Sequence, residues 1–138
     1  MKNQVFRFLG VVALLAGLTA CSGDGFGASD VGIQQSGQES DLNGTWRGTL
    51  GGLKYTIVFQ DGRVIENWLG NGYSSFHAYG EAGFIGFYGI VGADFQAAMN
   101  DASPGAPVSH ITARLQGVLD GNQLSGTDDS GDRFSISR

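Results

Sequence analysis

From residue 44 onward, apolar and polar positions alternate with a period of two, and glycine-bearing turns break the pattern at short intervals. Trp46, Gly48 and Leu50 alternate against Thr45, Arg47 and Thr49, and Tyr55, Ile57 and Phe59 alternate against the more polar neighbours within Lys54–Gln60. Asp61-Gly62 follows, a residue pair favoured in tight two-residue hairpin turns. Val64–Leu69 returns from that turn, and Gly70-Asn71-Gly72 turns the chain again. Tyr73–Gly80, Phe84–Val91 and Val108–Leu119 read as three more strands, and Gln123–Asp128 with Arg133–Ser137 reads as a final hairpin. Successive side chains of a strand point to opposite faces. The pattern therefore predicts an all-β fold, a small antiparallel up-and-down barrel or closed sandwich of about eight short strands in sequence order.

The same alternation predicts register. For the final hairpin, a three-residue loop Asp129-Ser130-Gly131 pairs Leu124 with Ile136 and Gly126 with Phe134, keeping apolar residues on one face. A two-residue loop would set Phe134 opposite Thr127. The three-residue loop is preferred, because Gly131 suits its left-handed position. At the earlier hairpin, a simple Asp61-Gly62 turn sets Phe59 opposite Val64, Ile57 opposite Glu66 and Tyr55 opposite Trp68. That register carries Glu66 onto the apolar face, where a carboxylate must be paired, hydrogen-bonded or protonated. The competing reading is a bulge that turns Glu66 outward, or a structural pair with an Arg.

Two segments depart from the alternation. Gly83 to Gly92 holds a glycine at every third residue in a run without charge, compatible with a strand buried on both faces, a barrel corner or a membrane-touching loop. Residues 93–100 read as a short helical turn with Phe95, Ala98 and Met99 as its apolar side. Ser103-Pro-Gly-Ala-Pro107 then breaks regular structure.

The start of the chain has another character. Lys2 and Arg7 precede an apolar stretch, Phe8–Leu18, which is too short to cross a bilayer as a helix. Leu18-Thr19-Ala20-Cys21 follows, and Cys21 is the chain's single cysteine. The run resembles the lipobox of bacterial lipoproteins. The resemblance implies a signal peptide over 1–20, cleavage before Cys21, and lipidation of its thiol. Each buried methylene adds about 0.8 kcal/mol, so two or three acyl chains make a nearly permanent anchor. Ser22 resembles the residue that permits export to the outer membrane of Gram-negative bacteria.

Beyond residue 20, six basic residues face thirteen acids, a formal charge of −7. Such a surface argues against nucleic acid and against charge-driven docking on anionic lipid, leaving the anchor to hold the membrane. Residues 22–41 are dominated by Gly, Ser, Gln and Asp, so 21–41 reads as a lipidated cysteine on a flexible tether. The folded domain is expected over 42–138.

Meander order behind an opening Gly44-Thr45-Trp46 resembles the calycin group of lipocalin-like and avidin-like barrels. In that group a Gly-x-Trp lies in the first strand and the Trp plugs the barrel floor. The resemblance implies a barrel without specifying a ligand.

Catalytic chemistry has no visible carrier. The serines form no nucleophile elbow, and two histidines with a lipid-destined cysteine make no zinc set. Asp128, Asp129, Ser130 and Asp132 form an acidic turn without the glycine and distal glutamate of an EF-hand loop, so a solvated hairpin tip is the expectation. His110 is expected on an exposed face. Alternation groups Tyr73, Ser75, His77 and Tyr79 on one face of a strand, where they either join Glu66 and Trp68 along a ligand pocket or face solvent. The candidate ligand-binding set is Glu66, Trp68, Tyr73, His77 and Tyr79. No cofactor or metal is implied. The expected function is a lipid-anchored envelope protein that binds a small apolar or mixed-polarity ligand without catalysis. The alternative is an adaptor or inhibitor lipoprotein that binds another envelope protein through its outer surface.

Overall fold

The computed structural model describes residues 26–70, 76–79, 83–101 and 107–138, giving backbone pairing alone for 76–79. The signal segment and Cys21, as well as Tyr73, lie outside the described residues. Nine strands follow one another: β1 (Gly44–Leu50), β2 (Leu53–Gln60), β3 (Arg63–Leu69), β4 (Phe76–Tyr79), β5 (Gly86–Val91), β6 (Asp94–Met99), β7 (Ala113–Asp120), β8 (Gln123–Asp128) and β9 (Arg133–Ser137). Every pairing is antiparallel. β4 and β5 pair with the same edge of β3, at residues 66–69 and 63–64 respectively, so they form one interrupted course. β1 pairs with β9, which closes a barrel of eight courses. Closure pairs the first strand with the last, so neither is left as an open edge.

The barrel interior is filled. Trp46, Phe59, Tyr88 and Phe95 are at most 1 % exposed, and Ile57, Met99, Leu124 and Ile136 pack with them. Phe59 is the hub, with ring centroids 4.4 Å from Tyr88, 5.6 Å from Phe95 and 6.2 Å from Trp46. Such offset and tilted contacts are the favoured aromatic geometry. Trp46 sits at the end of the barrel where the N-terminal chain enters. Its indole N–H donates to the Leu42 carbonyl at 2.8 Å.

The final hairpin has the expected register, with Leu124 opposite Ile136 and Gly126 opposite Phe134. Gly131 takes φ 90°, in the left-handed region that the loop requires. The acidic tip is a backbone cap: Asp128 Oδ1 accepts from the Ser130 and Asp132 amides, both at 2.9 Å.

The expected helical turn over 93–100 is instead strand β6. Phe95 and Ala97 face the barrel interior, while Ala98 is buried on the outside. The alternation holds over Asp94–Ala97 and breaks at Ala98, which is buried on the outer face between Ala97 and Met99. The predicted Val108–Leu119 strand likewise begins later, at Ala113, with a turn around residues 108–110.

What buries the outside of β5 and β6 is the N-terminal segment. The flexible tether expected over 21–41 does not hold for residues 26–41, which form an ordered strap with short 3-10 turns at Ala28–Val31 and Glu39–Leu42. Ala28, Val31 and Ile33 pack with Phe84, Phe87 and Ala98 in a second apolar cluster outside the barrel. Polar strap residues serve as backbone ligands. Gln35 Nε2 donates to the carbonyls of Gly62 and Tyr88 at 3.0 and 2.9 Å, and the Ser36 hydroxyl donates to Ile90. The buried Glu39 carboxylate accepts from the amides of Ser36, Gly37 and Ile90 at 2.6, 2.8 and 3.4 Å. Composition suggested disorder because these polar groups find their partners on a wall that sequence spacing does not display. Gly89 admits the strap, since a Cβ there would collide with the Gln34 carbonyl.

Candidate functional site

The expected β2–β3 register fails after its first rung. Phe59 lies opposite Val64 as predicted, but a bulge between Val58 and Phe59 shifts every later pair by one. Val58 then faces Glu66, Ile57 faces Asn67 and Thr56 faces Trp68. The physical reason lies in the extra residue. Val64 fills the interior while Ile65 packs against the outer apolar cluster, so two consecutive apolar residues serve opposite sides of the wall. Beyond them the alternation is inverted: Asn67 goes inside, and Glu66 and Trp68 go outside. Glu66 therefore faces outward, as the bulge reading had it, and does not line a pocket inside the barrel.

Four members of the predicted set are register neighbours on β3 and β4. Trp68 is opposite His77 and Glu66 opposite Tyr79 in the β3–β4 ladder. Tyr73 lies outside the described residues. His110 is exposed, as expected.

Three strands present one surface around Trp68. Arg47, Thr56 and Trp68 form one rung across β1, β2 and β3, and Thr45, Val58 and Glu66 form the next. Together with Lys54 they line a shallow groove of about 420 Å³ on the outer wall. Thr45, Thr56, Val58 and Glu66 are half-buried, while Arg47, Lys54 and Trp68 are exposed. Sequence reading missed Arg47, Lys54 and the two threonines. Their signal was present in the polar phase of the β1 and β2 alternation, which defines the outer face.

A second depression of similar volume, about 420 Å³, lies beside Arg63 and Phe84. There the aromatic is covered: Arg63 stacks 4.6 Å above the Phe84 ring, leaving Phe84 8 % exposed against 39 % for Trp68. The two depressions differ in how far their aromatic residue is exposed, not in volume.

Inside the barrel, the end opposite Trp46 carries a polar layer. Tyr55 and Asn67 are buried there, and the Asn67 side chain hydrogen-bonds the Tyr55 hydroxyl. Burial, reinforced by the negative charge of Asp101, pushes the Tyr55 hydroxyl above its ordinary range; the Asn67 bond opposes this. Asn67 Oδ1 has no further partner among the described residues. Tyr88 is pushed up to about 12, mainly by burial; its hydroxyl donates to the Glu39 carbonyl at 2.6 Å. Neither tyrosine is poised to exchange a proton near neutral pH. Among the described residues, no three His, Cys, Asp or Glu side chains converge on a metal site.

No known protein family, curated protein or solved structure matches this chain.

Proposed function

We propose that this chain is a lipid-anchored, non-enzymatic binding protein of the bacterial envelope. Cys21 carries the anchor, the barrel is calycin-like, and the outer wall of β1–β3 is the recognition face. The observation that carries the reading is the contrast between the two faces of this wall. The inner face is packed with aromatic and aliphatic side chains, whereas the outer face bears an exposed Trp68 within a polar groove. A large aromatic side chain left 39 % exposed costs hydrophobic stabilisation that burial would supply, and interaction surfaces are where such residues concentrate. Packing of the interior therefore favours outer-surface binding over a small ligand enclosed in the barrel.

The lipobox resemblance supports the anchor, and Ser22 supports the outer membrane of a Gram-negative cell. Trp46 at the barrel floor supports the calycin-like reading, because the Gly44-x-Trp46 element of that group has its Trp there.

Site-specific photo-cross-linking in living cells tests the recognition face. A photoreactive residue at position 68 is expected to form adducts with an envelope component, and one at Val118, 49 % exposed elsewhere on the barrel, is not. Adducts from position 118 alone, or from neither position, would contradict the assignment.

A further inference from the structure

The rung Arg47–Thr56–Trp68 places a guanidinium, a hydroxyl and an exposed indole across three adjacent strands. Strands lie about 4.7–4.9 Å apart, so the backbones of Arg47 and Trp68 are roughly 10 Å apart. A disaccharide spans a comparable length. We propose that the groove binds a saccharide bearing a carboxylate, with one sugar ring on Trp68 and the carboxylate at Arg47. This rests on the outer-wall reading given above and names the ligand class for that site.

Each part of the groove matches one part of such a ligand. A pyranose ring has a C–H face that packs on an indole, and its hydroxyls require donors and acceptors around the edge of that contact. Thr56 on the same rung, with Thr45 and Glu66 on the next, supplies both. Arg47 is exposed, and its guanidinium makes no hydrogen bond or ion pair among the described residues. Its planar fork matches a carboxylate in bidentate geometry.

Charge separates an acidic sugar from a neutral one. Beyond residue 20 the chain carries −7, yet among the described residues that line it this groove gathers two of its six cations, Arg47 and Lys54, against one acid, Glu66. A locally positive site on an acidic domain attracts an anion that the rest of the surface repels. A protein partner fits less well. Binding hot spots sit in apolar, desolvated centres, whereas Thr, Arg, Lys and Glu side chains line most of this groove, with Val58 and Leu69 as its aliphatic members.

The test uses the full-length chain in detergent micelles. It is titrated with N-acetylglucosaminyl-N-acetylmuramic acid, which carries a carboxylate, and separately with neutral di-N-acetylchitobiose. The two tryptophan indole N–H resonances report the outcome, with buried Trp46 as internal reference. The acidic disaccharide is expected to shift Trp68 but not Trp46, and to bind about ten-fold more tightly than the neutral one, as expected for one added charge-assisted hydrogen bond. Arg47→Gln should erase that preference while leaving the weak neutral binding. Trp68→Ala should abolish both, read from the Thr56 amide, with an unchanged melting temperature. Equal affinity for the two sugars, or no movement of Trp68 with either, would overturn the proposal. If neither sugar binds while position 68 cross-links to a protein in cells, the saccharide is wrong and the outer-wall reading stands. If position 68 cross-links to nothing, that reading fails as well.

Discussion

The guanidinium of Arg138 lies 5.2 Å above the ring of Trp46, tying the residue after the last strand to the first. The same guanidinium donates to the carbonyls of Asp41 and Asn43 at 2.8 and 3.2 Å, so one side chain joins the strap, the floor tryptophan and the barrel seam. Trp46→Ala is expected to cost about 3–5 kcal/mol, the range for emptying a packed aromatic site. Arg138→Ala is expected to cost about 1–2 kcal/mol, because it loses an exposed cation–π contact and two hydrogen bonds. Chemical denaturation of both variants checks the order. An Arg138 effect as large as that of Trp46 would mean that the seam, not the floor, dominates stability.

The strap is an integral part of the fold. Glu39→Ala removes a carboxylate that accepts three backbone amides and leaves those amides without it, with an expected loss of about 2–3 kcal/mol. Gly89→Ala drives a methyl group into the Gln34 carbonyl and should lift the strap from β5. Limited proteolysis should then cut within residues 26–43 faster than in the parent, with cleavage of the barrel strands lagging behind. Equal resistance in the parent and Gly89→Ala would show that the strap has another path.

Much of the fold was legible because alternation survives wherever one face of a strand meets solvent. β1, β2, β8 and β9 follow their predicted spans closely, and the final hairpin even revealed its loop length. Legibility was partial where the strap covers the wall. β5 falls within the predicted Phe84–Val91 strand although it is buried from Gly86 to Ile90, whereas β6, read as a helical turn, alternates only over Asp94–Ala97 before Ala97, Ala98 and Met99 are buried in succession. At the candidate site the alternation put Glu66 and Trp68 on one face of β3, where they lie, yet Ile65 shifts the register and sends that face outward. A single bulged residue inverts the alternation beyond it, and the pattern of Val64-Ile65-Glu66 left the simple hairpin and the bulge both open.

Alkaline pH should expose the buried tyrosines. Tyr55 and Tyr88 ionise less readily in the fold than at the ordinary value of 10.0, so folding disfavours their charged forms. Their contribution is complete below about pH 10; that of Tyr88 is lost as pH rises through about 12, and that of Tyr55 at still higher pH, because the unfolded chain releases its protons first. The melting temperature should therefore fall across that window. Tyr88→Phe should cost about 1 kcal/mol near neutral pH by removing the bond to the Glu39 carbonyl, and should flatten the alkaline decline. A decline as steep as the parent's would assign the effect to other groups.

Cys21→Ser should leave the β-domain folded and move it from the membrane fraction to the soluble fraction. Only five residue steps separate Cys21 from Phe26 at the start of the described strap, a reach of at most about 18 Å. The anchored barrel should therefore stand close to its membrane. A variant that stays membrane-bound through an alkaline carbonate wash would refute the anchor.

The most direct test of the recognition face is hydroxyl-radical footprinting of the two tryptophans, in intact envelopes and in purified protein. Trp46, 1 % exposed, should stay unmodified in both, whereas Trp68, 39 % exposed, should react when purified and be protected in the envelope by its bound partner. Equal modification of Trp68 in both preparations would contradict the account, because the outer wall of β1–β3 would then carry no occupant where the protein works.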